Sequence, residues 1–267
     1  MSRTLAEVTH LLKQLAPLEW AEPWDNVGLL IESTERGISN VLLTIDLTEE
    51  VLLEAKAAKA DLIVAYHPPI FAGLKRITQS TPLERIVREA IRSCISIYSP
   101  HTALDAAPNG MNDWLAQSLG EGTVTPIVPL LNAPLGVGMG RIVDLTRTRT
   151  LAELIRSIKQ HLGIPHLRVA AADAHAAGKP ITRAAVCAGA GGSVLEKCAQ
   201  VDLLLTGEMR HHDILARVAA GTTVILTDHT NSERGYLQVL RETLTRSLGS
   251  DVAIVISKKD RDPLLVV

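Results

Sequence analysis

The sequence predicts an α/β fold. Short unbroken apolar runs recur along the chain, and amphipathic stretches with helical spacing separate them. This is the pattern of strands buried on both faces beneath covering helices. With 267 residues, 46% of them hydrophobic, the chain has enough apolar surface for a substantial core, as one large domain or two of ordinary size.

The elements follow in order. Leu5, Val8, Leu11, Leu12 and Leu15 repeat at helical spacing, and Pro17 stops that helix. Trp24-Asp-Asn-Val-Gly28 reads as a buried indole and an Asx turn closing the entry to a strand. Val41–Asp46 is strand-like, Glu49–Lys59 a helix, and Leu62–Tyr66 the next strand. Thr81 caps a helix running through Cys94, with Pro82 at its favoured first position. Ile95–Tyr98 is a strand and Asn112–Leu119 a helix.

Val124–Pro134 breaks this rhythm with three prolines in eleven residues, so a domain boundary is expected there. A strand at Arg141–Asp144, a helix over Thr150–Leu162 and a strand at Leu167–Ala172 follow. Asp173–Lys179 reads as a loop or hairpin turn. Then come a strand at Ala184–Cys187, the glycine-rich Gly189–Ser193, a helix to Cys198 and a strand at Leu203–Thr206. A helix from Glu208, a strand at Val224–Leu226, a long helix from about Ser232 and a strand at Val252–Ile256 complete the pass. The expected organisation is a lobe of residues 1–125 joined by the C-terminal segment, a middle lobe 126–200, and the segment 201–267 carrying ligand-type residues.

Composition excludes several classes. A net charge of -2 gives no general attraction to nucleic acid or acidic membranes, and the small count of seven aromatic residues argues against a base-stacking platform for nucleic acid. The three cysteines show no CxxC spacing; Cys94 and Cys187 lie in apolar runs and read as buried thiols of a reducing compartment. The N-terminal residues show no apolar signal core and no run reaches the length of a membrane span, so a cytoplasmic protein is expected.

Five of the nine histidines fall in four motifs that follow strand-like runs. These are Tyr66-His67-Pro68-Pro69, His101 with Asp105, Glu208-Met209-Arg210-His211-His212, and His229 with Glu233. Ligands in open α/β sheets sit beyond the carboxyl ends of strands, so all four motifs are expected at one edge of a sheet. Imidazole and carboxylate together suit a borderline transition metal. His67 and Asp105 would give one nitrogen and one oxygen. His229 and Glu233, four apart, share a face if that turn is helical, and the two oxygens of Glu233 can bridge two ions. Taken singly, His67 also suits a turn hydrogen bond, Asp105 a helix cap, and His229 with Glu233 a surface pair.

Trp24–Gly28, Tyr66-His-Pro-Pro-Ile-Phe71, Ser99-Pro-His-Thr-Ala-Leu-Asp105, Thr206-Gly-Glu-Met-Arg-His-His212 and Asp228-His-Thr-Asn-Ser-Glu-Arg-Gly235 resemble the NIF3-like family. Members of that family carry the name of the type 2 form of GTP cyclohydrolase I. The resemblance runs from Trp24 to the Asp260–Pro263 tail. It implies two α/β lobes, a dinuclear metal centre in the cleft between them, and a toroidal homohexamer. By that resemblance the metal ligands are His67, Asp105, His229 and Glu233, with Glu233 bridging. One position departs from many bacterial members, which have two consecutive histidines where this chain has Tyr66-His67; the Tyr-His form resembles the eukaryotic branch. A phenol keeps its proton to a pH of about 10 and is a poorer ligand than imidazole, so a second ion held by His229, Glu233 and Tyr66 would be weaker.

The expected cofactor is a divalent ion, zinc, iron or manganese, one or two per chain. Such an ion lowers the pKa of a bound water for attack on an electron-poor carbon or phosphorus. Glu208, His211 and His212 would either carry protons beside it or support its ligands. Lys75, Arg76, Arg210 and Arg234 lie close to these motifs and favour an anionic small molecule, such as a nucleotide. The readings carried forward are a metal-dependent hydrolase and, as the alternative, a non-catalytic metal-binding adaptor.

Overall fold

The structure is a computed structural model, and it describes residues 2–33, 37–264 and 266. In chain order the strands are β1 (Gly28–Ile31), β2 (Asn40–Thr44), β3 (Leu62–Ala65), β4 (Ser96–Ser99), β5 (Gly122–Pro129) and β6 (Gly138–Arg149). They continue with β7 (Arg168–Ala170), β8 (Ile181–Cys187), β9 (Leu203–Thr206), β10 (Thr223–Leu226) and β11 (Ala253–Ile256). Helices separate most of them, as an α/β fold requires. The chain divides into two compact units, Met1–Leu104 with Tyr236–Pro263, and Asp105–Gly235 with Leu264–Val267.

The first unit holds a sheet of order β1-β4-β3-β2-β11. β2, β3, β4 and β11 are parallel in their pairings, and β1 adds antiparallel to β4. β2, β3 and β4 are buried almost throughout, which is why Val41–Leu43 and Leu62–Ala65 read as unbroken apolar runs, while β4 carries buried serines at both ends. On one face Leu42, Ile63 and Ile97 pack with Val51, Leu52 and Ala55 of helix Glu49–Ala57 and with Ile86, Val87 and Ala90 of helix Pro82–Arg92. The latter helix starts as expected: Thr81 Oγ1 accepts from the Glu84 amide at 3.2 Å, with Pro82 in the first turn.

The second unit holds a sheet of order β5-β6-β8-β9-β10-β7. β8, β9 and β10 are its parallel centre, and β6 and β7 flank them antiparallel. Ala185, Leu204 and Val224 pack there with Leu195, Cys198 and Val201. Helix Leu151–Leu162 begins with a complete capping box, Thr150 with Glu153, and ends at left-handed Gly163.

Several expectations are corrected. The four histidine motifs do not share one sheet edge: β3 and β4 belong to the first sheet, β9 and β10 to the second. Each pair consists of adjacent parallel strands, so each sheet brings two motifs together at its own carboxyl edge. The proline-rich run is largely strand β5, paired antiparallel with β6 through Pro126↔Arg141 and Pro129↔Gly138. β5 is an edge strand, where a residue lacking an N–H is tolerated. Asp173–Ala176 forms a short helix rather than a loop. Trp24 is 58% exposed rather than buried. Cys94 is exposed, in the turn that ends helix Pro82–Arg92, where it takes φ +54°, while Cys187 is buried as expected. No helix among the described residues is long and apolar enough to cross a membrane.

Candidate metal centre

The first unit brings two motifs together because β3 and β4 run side by side. His67 follows β3, and its Nδ1 lies 2.9 Å from Asp46 Oδ1, just beyond β2. A carboxylate only accepts, so Nδ1 carries a proton; in the neutral ring this makes Nε2 the nitrogen with the lone pair, the state a metal ligand needs. His101 follows β4 with φ +28° and donates from Nδ1 to Asp25 Oδ1 at 2.8 Å. Asp25 also accepts from the Thr102 amide at 3.1 Å and from the Thr102 hydroxyl. Burial works to raise the Asp25 pKa, but the hydrogen bonds from His101 and Thr102 outweigh it and hold the carboxyl below its usual range. The rings of Tyr66 and His101 meet edge to face at 5.6 Å, and those of His67 and His101 at 5.3 Å. Tyr66 is buried, as a structural phenol would be.

In the second unit the loops after β8, β9 and β10 meet on one glycine. The Gly189 amide donates to Ser232 Oγ at 2.8 Å, and its carbonyl accepts from the Glu208 amide at 3.0 Å and from Thr206 Oγ1 at 3.1 Å. Ser232 in turn donates to the His229 carbonyl at 2.6 Å. Thr230–Ser232 is a single 3-10 turn, and it lets His229 and Glu233 face each other as their spacing anticipates. His229 Nε2 lies 3.6 Å from Glu233 Oε1, and His229 Nδ1 lies 3.5 Å from Glu208 Oε1. Two donors on one tetrahedral ion at about 2.0–2.2 Å each sit about 3–3.5 Å apart, so this pair fits a divalent metal with little movement. Gly189 makes the pair possible. It has φ +61°, and a Cβ there would stand 2.7 Å from Glu233 Oε1 and 2.9 Å from His229 Nε2.

Asp105 lies in helix His101–Ala106 and is buried. Its carbonyl accepts from Asn112 Nδ2 at 3.1 Å, and Asn112 Oδ1 accepts from the Ala188 amide at 2.9 Å. The fully buried Asn112 therefore ties the Asp105 helix to the residue before Gly189. His211 and His212 open helix His211–Ala219; both are exposed, with their rings 5.4 Å apart. Glu208 lies against His229 and also lines an open cavity of about 400 Å³ with Ala190, Ser193, Met209 and Arg210. Three supporting residues escaped the sequence reading: Asp46, Asn112 and the steric role of Gly189. Asp46 closes the Val41–Asp46 run and carries the same strand-end signal as the histidines.

The sequence profile described as Duf34/NIF3 (NGG1p interacting factor 3) matches residues 3–263. The chain belongs to this family. It is 43% identical over 264 residues to NIF3-like protein 1 of Drosophila melanogaster, covering 98% of this chain and 89% of the fly protein. It is 38% identical over 289 residues to the NGG1-interacting factor 3 of Saccharomyces cerevisiae, covering all of both chains. The alignment with human NIF3-like protein 1, 36% identical, spans 355 positions, more than this chain has, so the human member carries stretches without a counterpart here. Among solved folds, a Bacillus cereus protein related to NIF3 superposes with a TM-score of 0.85 at 21% identity, covering 98% of each chain. Reduced HcgD from Methanocaldococcus jannaschii gives 0.80 at 22%, covering 97% of this chain and 99% of that one. These two share the NIF3 α/β architecture.

Proposed function

We propose that this NIF3 family member is a metal-dependent hydrolase acting on an anionic small molecule, with a nucleotide as the leading candidate and GTP cyclohydrolase chemistry as one form of it. His67, Asp105, His229 and Glu233 are the proposed ligands, a set of imidazoles and carboxylates suited to zinc, iron or manganese. The observation that carries the reading is the His229–Glu233 pair, held 3.6 Å apart against a glycine that leaves no room for a side chain. When bound, the ion would supply Lewis acidity and lower the pKa of a water.

The chain's own groups have separate tasks. Asp46 holds the His67 proton on Nδ1 and so presents Nε2. Ser232 and Gly189 fix the His229 turn, and Glu208 stands where it can accept or return a proton beside His229. His211 and His212, exposed on the following helix, would exchange protons with solvent. Arg210, on the wall of the cavity that Glu208 lines, offers a positive group to an anionic substrate. The proposed working form is a cytoplasmic homohexamer, in keeping with the family resemblance.

The test is turnover. Metal-loaded protein should release formate or phosphate from a nucleotide panel, and His67→Ala and Glu233→Ala should abolish release while far-UV circular dichroism is unchanged. Release of neither product would remove the hydrolase reading. The second reading, a metal-binding adaptor without turnover, is favoured by Tyr66, whose buried phenol replaces a stronger ligand, and by the interaction named in the family description. It expects exchangeable metal and saturable capture of a protein partner.

A further inference from the structure

Only seven aromatic residues exist in this chain, and two of the large ones stand exposed beside the His67–His101 half-site. Trp24 is 58% exposed and Phe71, the single phenylalanine, 53%. Their rings are 6.0 Å apart at 47°, and the Trp24 ring meets His101 edge-on at 6.1 Å. His101 in turn lies 5.3 Å from His67. The row Phe71, Trp24, His101, His67 is thus continuous, with an apolar, solvent-facing end and a polar end.

The apolar end is built on held backbone. Trp24 precedes Asp25, whose carboxylate is locked by His101 and Thr102 and also accepts from the Asn26 amide at 2.7 Å. Asn26 Nδ2 donates at 2.5 Å to the carbonyl of Ile70, the residue before Phe71. One asparagine therefore joins the two loops that carry the two rings. Scattered exposed apolar side chains need no explanation, but two aromatic rings fixed side by side next to ligand-type histidines do.

We propose that Trp24 and Phe71 form a stacking lip for a planar heteroaromatic ring, of which a purine is the test case. The inference rests on the proposed function in that it supplies the substrate class for that site. Two half-exposed rings tilted at 47° suit a flat π-system stacked on Trp24 with its rim against Phe71. Stacking on an aromatic side chain is tolerant of which base is bound, so the lip selects a flat ring and leaves identity to polar groups deeper in the site.

The experiment is equilibrium binding to the chelator-treated full chain, read by quenching of tryptophan fluorescence and by calorimetry. The probes are guanosine 5′-monophosphate and ribose 5-phosphate, which share the sugar phosphate and differ in the ring. The nucleotide is expected to bind at least about tenfold tighter than ribose 5-phosphate. Trp24→Ala and Phe71→Ala should each lose about tenfold or more for the nucleotide, with no loss for ribose 5-phosphate, and Trp24→Phe should retain most of the affinity. Thermal melting of each variant identifies any that fails to fold, and Trp24→Phe with Phe71→Leu then carries the comparison. Equal binding of the two probes, or wild-type nucleotide binding by Trp24→Ala, would overturn the proposal. So would a change of sedimentation in Trp24→Ala, which would make the lip a contact between copies. Because the binding is measured without metal, its failure is separate from failure of metal-dependent turnover.

Discussion

Asp46 and His67 form a carboxylate–imidazole pair with Oδ1 and Nδ1 2.9 Å apart. The pair joins residues at the ends of adjacent strands β2 and β3, and it decides which ring nitrogen of His67 is available. Asp46→Asn keeps the size but removes the charge that favours the proton on Nδ1. The expected result is a loss of metal affinity of about 10–100-fold, measured by competition with a chromophoric chelator. Long-range nitrogen–proton NMR of the His67 ring should show mixed tautomers in the variant and one in the wild type.

Gly189→Ala should damage the metal site directly. The new Cβ meets both His229 and Glu233, and its φ of +61° disfavours any side chain. A stability loss of about 1 kcal/mol or more is expected from the backbone alone. Bound metal measured by plasma emission should fall well below the wild-type content, while denaturant unfolding still shows one folded transition. Wild-type metal content in this variant would contradict the geometry.

Asn112→Leu removes both hydrogen bonds of a fully buried amide. It leaves the Asp105 carbonyl and the Ala188 amide without this partner, so the expected cost is about 1–3 kcal/mol for each group left unsatisfied. The urea midpoint checks it.

Asp25 carries a pH dependence. Its carboxyl is held below the usual range in the folded chain, so the folded state favours the ionised form. The associated stability is fully present above the unfolded carboxylate pKa of about 3.9, and it is lost as pH falls through the lower folded value. Asp25→Asn should therefore lower the urea midpoint clearly at pH 7, and the gap from wild type should close as pH drops below about 4. A gap that is constant with pH would show that the charge is not responsible.

Much of the fold was legible because the sequence states it locally. The runs Val41–Leu43, Leu62–Ala65 and Leu203–Leu205 lie in strands buried on both faces, and burial of that kind favours unbroken apolar residues. The Thr81-Pro82 and Thr150-Glu153 starts are equally local. β5 was misread because proline counts as a breaker everywhere except at a sheet edge, and edge position is a tertiary fact. The ligand-type residues were visible through their strand-end placement. Their partners were not, because Asp25 and His101 are 76 residues apart, and Asn112 and Ala188 are also 76 apart. No spacing rule reaches that far. The aromatic count made a stacking platform for nucleic acid look excluded, yet a count says nothing about where the few aromatics stand, and Trp24 and Phe71 stand together.

The edge strands have a consequence for how this protein behaves at high concentration. The second sheet ends on one side at β5, where Pro126 and Pro129 have no amide hydrogen to give, and on the other at β7, which is three residues long. The first sheet ends at β1 and β11, four residues each. Short or proline-bearing edges are poor templates for a strand from another molecule. Growth by strand addition is thus disfavoured at these ends, which tilts any self-association towards side-chain surfaces, the kind of contact that can close into a finite assembly rather than extend into a fibre.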